Sequence, residues 1–495
     1  MKVVAGAFRN PSFSRRSLLK GTLAAFAYSI LGEHAFGATL PKYNVVLGRP
    51  TKSSIALSLI AGTSLTTYVE YGTSPKSLNK KTAPILIPAL VPKVVELSGL
   101  QPNSNIYYRV RSKSSGAVNY DLGAIGNFST QKKPGANFSF VVQGDSHPER
   151  AGKMFNADLY VQTLNNISQQ KPDFMVMLGD DFSIDPLIGK GAANQVNVEN
   201  IYSTQRNWLS AVGKTIPLFL VNGNHEQAAA YLLDGTSSNP AVLAGNARMK
   251  YFPLPDSNDF YSADTESIEF VGKPRDYYAW TWGDALFITL DPYWHSKNPV
   301  DNVAGVSADP NQGGKGSGKT TDLWSVGIGD IQYAWLKQTL ESSKAKYKFV
   351  FAHHVMGTGR GAVEVSTGYE WGGADPKGKK TFAEMRPNWE MPIHDLMVKS
   401  GVTIFFQGHD HIFVHQERDG LIYQSMPNPA DDTFTMFNDT AYLSGTKAPN
   451  SGHVRVTVGP TQGKVEYFLS ARPQDESADR KNLQIAHSYD IKAKI

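Results

Sequence analysis

Phe138-Ser139-Phe140-Val141-Val142-Gln143-Gly144-Asp145-Ser146-His147 is the stretch on which the fold turns. An apolar run rich in Phe and Val ends in a glycine, then in a carboxylate and an imidazole. It reads as a buried strand whose end carries chemistry. The pattern recurs. Residues 174–178 lead into Gly179-Asp180-Asp181, and 218–221 into Gly223-Asn224-His225-Glu226. Residues 349–352 lead into His353-His354, and 403–406 into Gly408-His409-Asp410-His411. Residues 285–290 form another such run, and helical spacing is expected near 158–167 and 331–340. The layout is therefore α/β, with polar groups beyond the carboxyl ends of the strands. Residues 421–424, 453–458 and 465–469 read as antiparallel additions, and the tail after about Arg472 as polar.

One strand-end Asp is usually a helix cap, but five such motifs together form a ligand set. Two divalent ions about 3.5–4 Å apart repel each other, so a carboxylate between them must offset charge. Asp180 is the natural bridge, because Gly179 lets the backbone approach closely. Asp145 and His147 can bind one ion, and Asn224 can offer its carbonyl oxygen to the other. The imidazoles of His353, His409 and His411 complete the shells. Mixed nitrogen and oxygen ligands suit iron, manganese or zinc.

The order of these motifs, over residues 137–425, resembles the calcineurin-like metallophosphoesterase superfamily. The resemblance implies two stacked mixed sheets flanked by helices. It implies that Asp145, His147, Asp180 and His411 hold one metal, and that Asp180, Asn224, His353 and His409 hold the other. His225 resembles the family's histidine that contacts phosphate and protonates the leaving oxygen, after attack by a hydroxide that the metals generate. Glu226 either orients His225 or is a first-turn helix charge, and His354 either contacts substrate or packs. Arg150 and Arg360 either grip phosphate oxygens or are surface arginines. Ser183 stands where purple acid phosphatases place a metal-binding tyrosine, three residues past the bridging Asp, which argues against an iron–tyrosinate centre. The segment 360–373, just after His353-His354, is expected over the site without an assigned role.

The chain of 495 residues is 41% hydrophobic and has no cysteine, so metal sites must use His, Asp, Asn and Glu. Its net charge is +5, of which residues 1–37 carry +4: Lys2, Arg9, Arg15, Arg16 and Lys20 against Glu33. The remaining +1 gives no electrostatic basis for binding nucleic acid or a membrane surface. Ser14-Arg15-Arg16-Ser17-Leu18-Leu19-Lys20, an uncharged stretch at 21–32 and Ala35-Phe36-Gly37 read as a twin-arginine signal, expected to be removed during export to the periplasm or beyond. That stretch of 12 residues is too short to span a bilayer, which takes about 20. No span is expected after the signal is removed.

Residues 38–131 read as a small all-β sandwich resembling fibronectin type III modules and the amino-terminal domain of purple acid phosphatases, although Ile106 replaces the usual corner tyrosine. Residues 131–135 read as a linker, 136–470 as the catalytic domain and 471–495 as the polar tail. Gly313-Gly314-Lys315-Gly316-Ser317-Gly318-Lys319-Thr320 fits a nucleotide phosphate loop, but its lead-in is polar rather than a strand, so 295–320 reads as a surface loop. The expected function is an exported phosphomonoesterase acting on a small phosphoester. A phosphodiesterase or nucleotide pyrophosphatase on the same site, and a non-catalytic binding protein, are the alternatives. The twin-arginine machinery is the expected protein partner.

Overall fold

Period-two alternation along the apolar runs assembles two sheets face to face. The computed structural model describes residues 42–227, 233–297, 323–355, 359–375 and 377–494. The twin-arginine segment and the 313–320 loop lie outside them. One sheet runs Ile485–Lys492, Gln462–Leu469, Gly452–Val458, Phe138–Gln143, Phe174–Met177, Leu218–Leu220, Tyr43–Gly48, Ile55–Ala61, Lys93–Leu97. The other runs Ser262–Ala263, Tyr278–Trp282, Ala285–Thr289, Tyr347–Phe351, Ile404–Gln407, Leu421–Ser425, Phe413–Arg418, Thr446–Ala448.

Between the sheets lies an aromatic interior. Phe140, Phe174, Phe219, Phe287, Phe349 and Phe406 all point into it. Phe219 stacks on Trp280 at 4.0 Å, and Phe140 on Phe174 at 5.5 Å. The alternate residues Val141, Met175, Met177 and Leu220 face the helices Ala157–Gln170 and Gln195–Gly213. Val350 and Phe405 likewise face Gly329–Ser342 and Ile393–Lys399. The result is two stacked mixed sheets flanked by helices. No helix among the described residues is long and apolar enough to cross a membrane.

The amino-terminal β region is continuous with the first sheet. Tyr43–Gly48 runs parallel to Leu218–Leu220, with Gly48 opposite Leu218. Facing it, Leu65–Gly72, Asn105–Ser114 and Asp121–Ser129 belong to a separate five-stranded sheet. Val45, Leu47, Leu57 and Val69 fill the space between these layers, while Val46 turns toward the helix Gln195–Gly213. Arg206 of that helix, fully buried, donates to Asn44 Oδ1 (3.1 Å) and to the Ser58 carbonyl (2.5 Å). Gln131 and Gly135 of the expected linker are bonded to Thr281 and Asp284.

Two expectations change. Leu421–Ser425 pairs parallel with Ile404–Gln407 and antiparallel only with Phe413–Arg418. The polar tail contains the edge strand Ile485–Lys492, paired antiparallel with Gln462–Leu469. Of that edge strand only Ile491 is buried, so its composition carries little hydrophobic signal.

Candidate metal centre

Each strand delivers its motif to the same rim. Gly179 has φ 94°, and a Cβ there would lie 2.3 Å from the Gly223 nitrogen, so only glycine lets the 179–181 turn meet the 222–224 turn. Four of the expected ligands are themselves held in left-handed backbone: φ is 48° at His147, 58° at Asp180, 66° at His409 and 54° at His411. Non-glycine residues in this region cluster at functional sites, where the surrounding structure imposes them.

The expected ligands converge. Asp145, His147 and His411 form one group, and Asp180, His353 and His409 another, with the ligand atoms of each group within 4.8 Å of one another. His147 Nε2 stands 3.1 Å from His411 Nε2, and His411 Nε2 stands 3.1 Å from Asp145 Oδ2. On the other side Asn224 Oδ1 lies 3.0 Å from His353 Nε2 and 3.1 Å from His409 Nδ1. Asp180 Oδ2 belongs to both sides, 3.0 Å from His353 Nε2 and 3.5 Å from His147 Nε2. Asp145 is fully buried, yet neither carboxylate oxygen has a hydrogen-bond partner among the described residues. A buried, unpaired carboxylate beside facing ring nitrogens fits a cation bound among them.

A supporting layer aims these groups. Glu149 Oε1 meets His147 Nδ1 at 2.7 Å, and the Leu178 carbonyl meets His353 Nδ1 at 2.7 Å, so each Nε2 faces inward. The Glu226 carboxylate makes no hydrogen bond to His225 among the described residues. Its oxygens accept the backbone N–H groups of Asp180, Asp181, Phe182 and Gly223 at 2.6–2.9 Å, which fixes the turn carrying Asp180. Asp185 is the residue that holds His225, through Nδ1. Arg150 Nη2 lies 3.0 Å from His225 Nε2. Arg360 is buried and donates to the His409 carbonyl and to Asp410 Oδ1. Together with Gly361 N, bonded to Asp410 Oδ2 at 3.0 Å, it braces the 408–411 loop, and that bracing is a role for the segment 360–373. His354 lies against His409 (ring centroids 4.9 Å) and Tyr293 (6.0 Å).

The electrostatics match a cation site at three imidazoles, while His353, despite burial, is raised to about 10 by Asp180 and Asp145 and carries a proton where a cation would sit. Burial raises Asp145 well above the usual carboxylate range. Burial also opposes ionisation of Asp180, but His353 and His225 outweigh it and hold Asp180 well below that range. Burial, reinforced by neighbouring cationic groups, keeps His147, His409 and His411 neutral, the state in which imidazole binds metal. Burial lowers His225 as well, yet Asp180 and Asp185 raise it to about 9.

No motif in the sequence marks Glu149 or Tyr293. Asp185-Pro186 opens the short helix Asp185–Gly189, and that start was the one signal available for Asp185.

Among solved structures, the chain is similar to PhoD, with 15% identity, a TM-score of 0.60, and coverage of 91% of this chain and 90% of that one. It is also similar to the purple acid phosphatase PPD1 from yellow lupin (Lupinus luteus) seeds, with 15% identity, a TM-score of 0.56, and coverage of 91% and 74%. At such identity these likenesses show the fold. No curated protein sequence matches. The calcineurin-like phosphoesterase family model matches residues 138–413, more than half of the chain and the span of every motif above. With that match on the same residues that build the rim, the chain belongs to the calcineurin-like phosphoesterase family and is a metal-dependent phosphoesterase.

Proposed function

We propose that the chain is an exported phosphomonoesterase holding two ions of iron, manganese or zinc. In this reading Asp145, His147, Asp180 and His411 hold one ion, and Asp180, Asn224, His353 and His409 hold the other. The observation that carries it is Asp180 Oδ2, within 3.5 Å of a histidine nitrogen from each group. When bound, such ions lower the pKa of water toward neutrality and offset the charge on phosphate oxygens.

The chain's own residues do the rest. Asp180 neutralises charge between the two groups, and Glu226 keeps it in place. His225, oriented by Asp185 and 3.9 Å from Asp180 Oδ2, donates the proton to the leaving oxygen from Nε2. Arg150, part-exposed beside it, binds a phosphate oxygen. Two cation-capable groups on one flank suit the dianion of a monoester. Export rests on the paired arginines at Arg15-Arg16 and delivers a folded, metal-loaded protein through the twin-arginine machinery.

Hydrolysis of an aryl phosphate monoester and of the matching diester tests the reading, on metal-stripped protein before and after manganese, zinc or iron is restored. Activity is expected only with metal and mainly on the monoester. Asp180→Asn should lower kcat/KM on the order of 10³-fold, since several kcal/mol of charge stabilisation depend on the pair of ions. Metal-independent turnover or a diester preference overturns it.

A further inference from the structure

Tyr293 has no role in the scheme above, yet its placement is specific. It is buried, 2% exposed, and its hydroxyl has no hydrogen-bond partner among the described residues. A buried hydroxyl without a partner is unfavourable, and a hydrogen-bonding ligand beside it would satisfy it. The ring lies against His354, with centroids 6.0 Å apart and planes 22° apart. His354 in turn lies 4.9 Å from the ring of His409, so the pair stands on the flank of the second ligand group. His225 stands on the flank of the first group, 5.2 Å from the ring of His147.

The loop holds Tyr293 rigidly. Its backbone N–H donates to Asp291 Oδ1 at 2.7 Å, and Asp291 Oδ2 accepts from Asn222 Nδ2 at 2.8 Å. Asn222 is two residues before the ligand Asn224, so one carboxylate ties the tyrosine to the ligand loop. Burial first, then the charges of Asp180, Asp291, Glu226 and Asp145, push the hydroxyl well above its ordinary range. It therefore stays protonated, and those carboxylates lie close enough to act on it.

We propose that the Tyr293 hydroxyl donates a hydrogen bond to a non-bridging oxygen of the substrate phosphate, from the flank opposite His225. The inference rests on the reading that phosphate binds between the two ligand groups. The donor is neutral, so it distinguishes where an oxygen sits rather than how much charge it carries. His225 and Arg150 then hold one side of the phosphate, and Tyr293 fixes the other.

Tyr293→Phe removes one oxygen and keeps the ring. The experiment compares it with the parent, both metal-loaded, in binding of inorganic phosphate by calorimetry, in kcat/KM on the monoester, and in Tm. A lost hydrogen bond to a charged oxygen should weaken phosphate binding and lower kcat/KM by about 10- to 100-fold. Metal content should be unchanged, and Tm should hold or rise, because an unsatisfied buried group has gone. Phosphate affinity and kcat/KM within twofold of the parent overturn the proposal, as does a lowered Tm, which marks the hydroxyl as structural. If the parent binds phosphate but hydrolyses no monoester, the proposed activity fails separately. The phosphate affinity of Tyr293→Phe then still decides this proposal.

Discussion

Phe140 and Asp145 lie on one strand and its loop, and both are fully buried, but their surroundings are opposite. Phe140 is enclosed by aromatic rings, with Phe287 and Phe349 each 5.1 Å away and Phe174 at 5.5 Å. Asp145 lies among imidazoles, with His411 Nε2 3.1 Å from Oδ2, and its oxygens have no side-chain hydrogen-bond partner among the described residues. The interior alternates regularly and is built of apolar and aromatic side chains. The rim a few residues on concentrates left-handed backbone, an unpaired carboxylate and an unpaired hydroxyl. Strain and unsatisfied groups of this kind persist only where neighbouring structure is strong enough to impose them. The aromatic interior is that structure.

The comparison breaks first if the interior is not what holds the rim. Phe140→Ala should destabilise the chain by about 3–5 kcal/mol, the range for truncating a buried aromatic side chain. Denaturant unfolding measures it. Metal affinity should fall along with stability, because Asp145 hangs from the same strand. A loss under about 1 kcal/mol would mean the ring is not enclosed as the geometry has it.

This contrast also separates what was legible in the sequence from what was not. The interior was legible because alternation is local: Phe138, Phe140 and Val142 face one way and Val141 the other. The rim was legible in residue type, because Asp, Asn and His at five strand ends have few other joint uses. The supporting layer was not. Arg360 and Asp410 are 50 residues apart, and nothing local in either names the other. Asp185 reaches His225 from 40 residues upstream, and Glu226 is committed to backbone groups of a loop more than 40 residues earlier. Those pairings exist only once the sheet is assembled. The edge strand Ile485–Lys492 escaped for another reason: it borrows its order from the partner strand's backbone, and its exposed face leaves no apolar pattern.

His453 sharpens the comparison, because it is a polar group placed in the interior rather than at the rim. It sits fully buried on Gly452–Val458, with Nε2 3.0 Å from Gln170 Oε1 and no partner for Nδ1. Burial, with Arg455 nearby, lowers it to about 3. The unfolded chain therefore binds a proton at pH values where the folded chain does not. His453 leaves stability intact above about pH 6.5, its unfolded value, and stability is lost as the pH falls toward 3. Between pH 6.5 and 4.5 the loss should amount to about 2 kcal/mol. In His453→Gln that part of the acid dependence should vanish, which denaturant titrations at the two pH values would show. An unchanged pH slope would place the imidazole in contact with water.

The smallest expected effect reverses sign with metal, and for that reason it separates rim from interior most cleanly. Asp145 is raised well above the carboxylate range by burial, so without metal its ionised form weakens the fold. The sign follows: a carboxyl raised in the folded state favours folding below its unfolded pKa, and that contribution is lost as the pH rises through the folded value. Asp145→Asn removes the charge without changing the shape. In chelator-treated protein at neutral pH it should raise stability, on the order of 1 kcal/mol, by removing a charge that burial disfavours. With metals restored the order should invert, because the parent gains binding free energy that the variant cannot match. Thermal unfolding of both chains, with chelator and with metal, reads the crossing directly. If Asp145→Asn is the less stable chain in both conditions, Asp145 is an interior packing residue, and the division between the two regions falls elsewhere.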